Sequence, residues 1–323
     1  MKRKYLTVLS AALTAAGFLL LVALPGDAAD GARKGLGICG GVIVPSLFPF
    51  LVFSGLFSAL GLPEASVQLL QPLFRRARID PHAAVPLLLG LLGGYPVGAS
   101  TLAALVRDGL LSREEAERLL PCCNNTGPAF IIGAAGSAVF GSAAVGLGLY
   151  LCHILAAVTL LLLFGRSSVP AETAPSHTLP RQDFADAFPV CVRTAAASTV
   201  NICAFVVFFS VLTALLSAAG VFSALTAAVA LHFGTELQFA RALITGLLEL
   251  GSGIASMSGL APEPRNLALC AFLLGFGGLS VHSQTLSILS GTKIRCARHF
   301  VGRILHGALS ALYAYVLFRL RQI

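Results

Sequence analysis

Charge is what this chain has least of. Asp, Glu, Lys and Arg make up only 11% of its 323 residues, while 56% are hydrophobic and the mean hydropathy is +0.86. A soluble domain carries about 25% charged residues, so this sequence cannot clothe a globular surface in charge. An integral membrane protein with many spans fits instead, its main partner being the lipid bilayer. The charge present is mostly positive, net +8, in short clusters between apolar runs: Lys2-Arg3-Lys4, Arg75-Arg76-Arg78 and Lys293-Arg295-Arg298-Arg303. Cytoplasmic loops of membrane proteins look like this.

Other absences narrow the function. A nucleic-acid surface needs a basic stripe with aromatic platforms; none is present, so no nucleic-acid partner is expected. There is no P-loop, HExxH, GxSxG or pair of carboxylates. Ser280, His282 and Ser283 lie too close in sequence to work as a triad. No catalytic residue, and no enzyme, is expected. The eight cysteines include no CxxC pair, and most sit in apolar runs, where a thiol behaves as a small hydrophobe. Adjacent Cys122-Cys123 is poorly placed for a disulfide, and four converging zinc ligands are not visible. Neither metal nor cofactor is expected.

Long hydrophobic runs fill the rest. Tyr5–Leu24 is about 20 residues, a full bilayer crossing rather than a signal-peptide core, so an uncleaved first helix is expected. A run over 36–60 contains Pro45 and Pro49, which should break its backbone ladder. Residues 84–106 are apolar but interrupted by Gly93-Gly94-Tyr95-Pro96-Val97-Gly98. An aqueous helix over Ser112–Leu120 starts with a capping box, Ser112 and Glu115. A further span covers Val145–Phe164.

The second half echoes the first. LGLLGGYPVGA (89–99) pairs with TGLLELGSGIA (245–255), and PSLFPFLVFSGL (45–56) with NICAFVVFFSVL (201–212). His153 falls opposite His306, and NNTGPAFII opposite GGLSVHSQT, in the same order and at nearly constant offset. The expected fold is an all-α polytopic bundle of two repeats with broken or re-entrant helices. Its parts are residues 1–34 (first helix and loop), 35–165 (repeat 1), 166–190 (polar linker) and 191–323 (repeat 2). The break in 84–106 leaves arms of roughly nine residues, too short to span separately. If that segment re-enters, each half crosses three times and the repeats are inverted.

Duplicated, broken apolar segments are the signature of a secondary transporter. Irregular backbone survives in a bilayer only beside protein or a wet cavity. The knot Asn124-Asn125-Thr126-Gly127-Pro128 precedes an apolar run, and Pro128 suits a first helical turn. Asn124, Asn125 and Thr126 read as caps or as ligand donors at a helix N-terminus. The partner segment offers Ser280, His282, Ser283 and Gln284. Glu249, a carboxylate within an apolar run, is the candidate cation- or proton-coupling group. His153 and His306 read as buried, hydrogen-bonded helix residues.

PSLFPFLVFSGL, LLGGYPVGAS and LSREEAERLLPCCNNTGPAFIIGAAGSAVFG together resemble the sporulation integral membrane protein YlbJ family, within the nucleoside-recognition (Gate) membrane proteins. The resemblance runs from about Pro25 to Phe164 and, more loosely, through GLLELGSG and SVHSQ. It implies a multi-spanning protein distantly similar to concentrative nucleoside transporters and a role in spore formation. Relatives of the SpoVV type imply dipicolinic acid as solute and the outer forespore membrane as location. On the family pattern, Tyr95, Pro96 and Gly98 fall on an aromatic-Pro-x-Gly break. Asn124, Pro128, Phe130 and Gly133 fall on an Asn…Pro-x-Phe motif. Ser100 stands where the family often has Lys, a departure that bears on anion binding.

The expected substrate site is therefore Asn124, Asn125, Thr126, Gly127, Pro128, Tyr95, Pro96, Gly98, Ser100, Ser280, His282, Ser283 and Gln284. The leading expectation is transport of a small polar or anionic solute, dipicolinate first. Nucleoside or nucleobase transport and a non-transporting sporulation scaffold are the alternatives. A homo-oligomer is compatible with any of them.

Overall fold

The computed structural model describes residues 2–61, 72, 74, 76–166 and 182–321. Regular structure among them is helical throughout. Most of the connector before residue 76, Arg75 of the second basic cluster and most of the 166–190 linker lie outside the described residues.

Helix α1 (Lys2–Ala23) meets α2 (Pro25–Ile38) at a bend of 100°. Pro25 opens α2, where a missing N–H costs nothing. A π-helical turn, Cys39–Ile43, leads into α3 (Val44–Ala59). This corrects the expected break at the prolines. The chain widens just before Pro45, with Val44 N–H donating to the Cys39 carbonyl, and helix then continues through Pro49. The looser turn ahead of the prolines takes up the disturbance their rings impose on the ladder.

Next come α4 (Ala84–Gly93) and α5 (Val97–Arg107), which fold into a hairpin over a tip that includes a cis Tyr95-Pro96 bond. A Cβ on Gly90 would lie 3.3 Å from Gly98 Cα, so the two arms touch through glycine. Helix α6 (Arg113–Cys123) opens with the expected capping box. Ser112 Oγ accepts from Glu115 N–H, and the Glu115 carboxylate accepts from Ser112 N–H. The knot separates α6 from α7 (Ala129–Val139), a wide π-type helix, and α8 (Ala143–Phe164) follows.

In the second half α9 (Phe184–Ala218) is a single helix of 35 residues, followed by α10 (Val221–Phe233). Helices α11 (Leu237–Leu248) and α12 (Leu250–Ala255) form another bent pair. Here Gly253 backs onto Gly246, as Gly98 does onto Gly90. Helices α13 (Pro264–Phe276) and α14 (Gly278–Ile288) are parted at Gly277, and α15 (Ala297–Leu320) closes the chain. A bent hairpin, a broken helix and a long straight helix thus occur in that order twice.

Among the described residues four segments are long and apolar enough to cross a membrane: α8, α9, α13–α14 together and α15; a fifth is α1–α2 if the bent pair is one span. Their outer faces are apolar too. On α8, Leu147, Leu151, Leu155 and Leu162 are exposed, while Leu149, Cys152, His153, Ala156 and Leu160 are buried. A helix apolar on both faces fits hydrocarbon outside and protein inside. Helices α2 and α9 pack closest at Gly31 and Gly35, whose Cβ atoms would lie 2.8 Å from Val211 Cα and Val207 Cα. Small residues four apart allow such approach in a membrane, where packing replaces the hydrophobic drive.

Candidate functional site

Both hairpin tips, the knot before α7 and the first turns of α14 meet at one cavity of about 150 Å³. The first half contributes Gly93, Gly94, Tyr95, Thr126 and Gly127; the second contributes Glu249, Gly251, Ser280 and Gln284. Ile38, Phe50, Ile202 and Val206, from α2, α3 and α9, close the apolar side. The tip of α4–α5 touches the knot backbone to backbone, a Cβ on Gly127 falling 3.2 Å from Gly94 Cα. Gly94 has φ +76°, the left-handed region that favours glycine.

Of the two readings of the knot's side chains, as caps or as ligand donors, the cap on α7 is not formed. No side-chain cap bond is made there, and Pro128 is the N-cap residue. Their polar atoms bridge elements instead. Asn124 Nδ2 donates to Thr285 Oγ1 (2.9 Å), and Thr126 Oγ1 to the Leu274 carbonyl (2.7 Å). Asn125 Nδ2 donates to the Cys122 carbonyl (2.6 Å), while its Oδ1 accepts from Arg303 (3.2 Å). All three side chains are buried. Only Thr126 and Gly127 of the knot line the cavity; Asn124 and Asn125 hold the walls behind it.

Arg303 is the residue the sequence reading misplaced. It was expected in a cytoplasmic basic cluster; it is fully buried on α15. Among the described residues no carboxylate forms an ion pair with it. Its guanidinium donates to the Tyr95 hydroxyl, to Asn125 Oδ1, to His306 Nδ1 (2.9 Å) and to the Pro121 and Leu274 carbonyls. It also lies 5.4 Å from the Tyr95 ring centroid. The only sequence signal was its position, the seventh residue of a largely apolar run from Ala297 to Leu320 and one turn before His306.

Hydrogen bonding assigns the neighbouring tautomers. Arginine can only donate, so His306 accepts at Nδ1. The Thr126 N–H donates to His153 Nε2 (3.3 Å), so that nitrogen accepts. The two rings, paired across the halves in sequence, are in contact, with centroids 4.4 Å apart. Both are buried and hydrogen-bonded, as read from the sequence.

Other expected positions scatter. Ser100 Oγ donates to the Val97 carbonyl within its own helix and does not line the cavity. Gly98 packs under the Cys123 carbonyl, and Pro96 is buried at the hairpin tip. His282 turns away, stacking near Phe276, His299 and Phe300. Ser283 is half-buried and outside the cavity. Glu249 lines it, and its carboxylate also caps α12, accepting from Gly251 N–H (2.8 Å) and Ser252 N–H. Ser280 Oγ has no hydrogen-bond partner among the described residues. Among the described residues no group of three His, Cys, Asp or Glu side chains could hold a metal ion.

These features define a multi-pass α-helical membrane protein whose broken helices enclose a small, mainly apolar cavity with a few polar groups set into its wall. Residues 41–171 match the Gate family, described as nucleoside recognition. Over 344 residues the chain is 29% identical to the sporulation integral membrane protein YlbJ of Bacillus subtilis (strain 168), covering 97% of this chain and 84% of that protein. The resemblance read from the motifs thus stands for the Gate segment and along nearly the whole chain. No solved structure matches.

Proposed function

We propose that this protein is a secondary-type transporter of a small polar or anionic solute, dipicolinate first, built from two inverted repeats and active in spore formation. The supporting observation is the cavity itself. Both hairpin tips, the knot and the first turns of α14 line it, and Ser280 Oγ, a buried hydroxyl of a lining residue, has no hydrogen-bond partner among the described residues. Broken helices meeting at a midplane site are how secondary transporters hold a solute. The similarity to a sporulation integral membrane protein supports the setting.

Cavity size favours one ring. A cavity of about 150 Å³ is the size of a benzene molecule, so either solute requires it to widen, a compact pyridine dicarboxylate less than a nucleoside with its ribose. Nucleoside transport is the second reading, favoured by the description of the matched family. In both, Gln284, Ser280, Thr126 and the backbone around Gly94 and Gly127 contact the solute. Glu249 serves as the coupling group for a cation or proton.

The test is uptake of labelled dipicolinate into proteoliposomes, with uridine in parallel and empty liposomes as control. Saturable dipicolinate uptake is expected. Gln284→Leu should lower it roughly tenfold or more, the effect of one buried hydrogen bond worth about 1–3 kcal/mol. Asn124→Ala should act through the position of α6 against α14, lowering thermal stability as well as uptake. Uridine uptake alone would select the second reading; no uptake of either by folded protein would sink the transport proposal.

A further inference from the structure

A second cavity, of about 1040 Å³, lies between α2, α9, α10, α11 and α12. Its lining is unlike a lipid-facing groove. Ser210, Thr213 and Ser217 form a hydroxyl stripe along one face of α9, met by Thr245 and Ser252 from the α11–α12 pair. Ser210 is 4% exposed, and its Oγ has no hydrogen-bond partner among the described residues. Lys34 and Arg241 bring two positive charges to the lining; Asp30, the carboxylate there, pairs with Arg33. Hydrocarbon does not satisfy such groups.

The same helices line both cavities. On α9, Val206 faces the inner cavity and Ser210 the outer. These are four residues apart, about 6 Å along the axis. On the hairpin, Glu249 and Gly251 face inward and Ser252 outward, so one peptide link separates the two spaces. On α2, Ile38 faces inward and Lys34 outward. Between them Gly35 packs on Val207 and Ser210 with no room for a Cβ, which closes the layer.

We propose that this outer cavity is a water-filled, electropositive vestibule that collects an anionic solute ahead of the inner site, with the short α12 segment as the partition between them. Its purpose rests on the transport reading, but its physical character does not. The excess of cations raises the local concentration of anions, and the hydroxyl stripe keeps the path wet. Glu249 ties the partition together through its two cap bonds, and Gln238 Nε2 clasps its far end by donating to the Ser258 carbonyl (2.8 Å). Movement of this one element would join the two spaces.

The test is thiol accessibility in proteoliposomes. Thr213→Cys is treated with small anionic and cationic methanethiosulfonates, and the wild-type chain, with its eight cysteines, sets the background. Val200→Cys, on the same helix but 69% exposed and outside the cavity, is the lipid-facing control. Ser217→Cys is the second probe if the first variant does not fold. The cavity cysteine should react while the control does not. Relative to their rates on a free thiol, the anionic reagent should be favoured roughly threefold or more, and Arg241→Gln should lower that preference. A cavity cysteine as inert as Val200→Cys would overturn the vestibule, as would a preference unchanged by Arg241→Gln. Because labelling is read without transport, a reactive vestibule in a protein that takes up no solute would count against the transport reading alone.

Discussion

Arg303 concentrates the problem of this fold in one side chain. A fully buried guanidinium with no paired carboxylate among the described residues is costly in a membrane. It is held by five acceptors: Tyr95 at the hairpin tip, the Pro121 carbonyl on α6, Asn125 in the knot, the Leu274 carbonyl before the α13–α14 break, and His306 on its own helix. Lysine would keep the charge but not the planar fork that reaches them together. Arg303→Lys should therefore leave buried acceptors unmet and destabilise the protein by about 1–3 kcal/mol. Thermal unfolding in detergent would check this, with uptake expected to fall in parallel. A variant as stable and active as the parent would show that charge alone matters. Ser100 makes the contrast. Its hydroxyl is spent inside its own helix, and the buried cation beside the hairpin tip is Arg303, which reaches the Tyr95 hydroxyl from α15.

Among the elements, the α4–α5 hairpin depends most on particular residues. Both Gly90 and Gly98 lie against the Cys123 carbonyl at the end of α6, and a Cβ on either would run into that oxygen. The obstacle is backbone, which cannot rotate away. Gly98→Ala should cost about 1–3 kcal/mol or more and displace the Tyr95 tip from the cavity. It should lower both the unfolding temperature and the yield of folded protein. An unaffected variant would mean the hairpin packs on α6 less tightly than described. The capping box at Ser112 and Glu115 was legible because it is local: donor and acceptor lie three residues apart. Partners of Asn124 and Thr126 were not legible, because they lie about 150 residues away, at Thr285 and Leu274. A cap and a long-range bridge use the same residue types, so composition cannot choose between them.

For the whole molecule, the open issue is which way the halves run. Inverted repeats require the segment after α8 to return to the cytoplasm; parallel repeats put it outside. A reporter inserted between Ser168 and Ala174 reads this directly. Inversion predicts cytoplasmic activity, and an external signal would replace it with parallel halves. That segment lies outside the described residues, and the positive clusters suit either arrangement.

Composition and local residues are enough to set the environment, the helical class and two of the chain breaks, at Gly94–Pro96 and at the knot before Pro128, whose effects act within a few bonds; the helix that continues through Pro45 and Pro49 was not legible in the same way. Tertiary structure alone decided which breaks face each other, that Asn124 and Asn125 brace the cavity while Thr126 and Gln284 line it, and that Arg303 is interior. The physical reason is distance along the chain. A buried polar group in a bilayer must find a partner, but the partner can come from any helix, and only packing selects it.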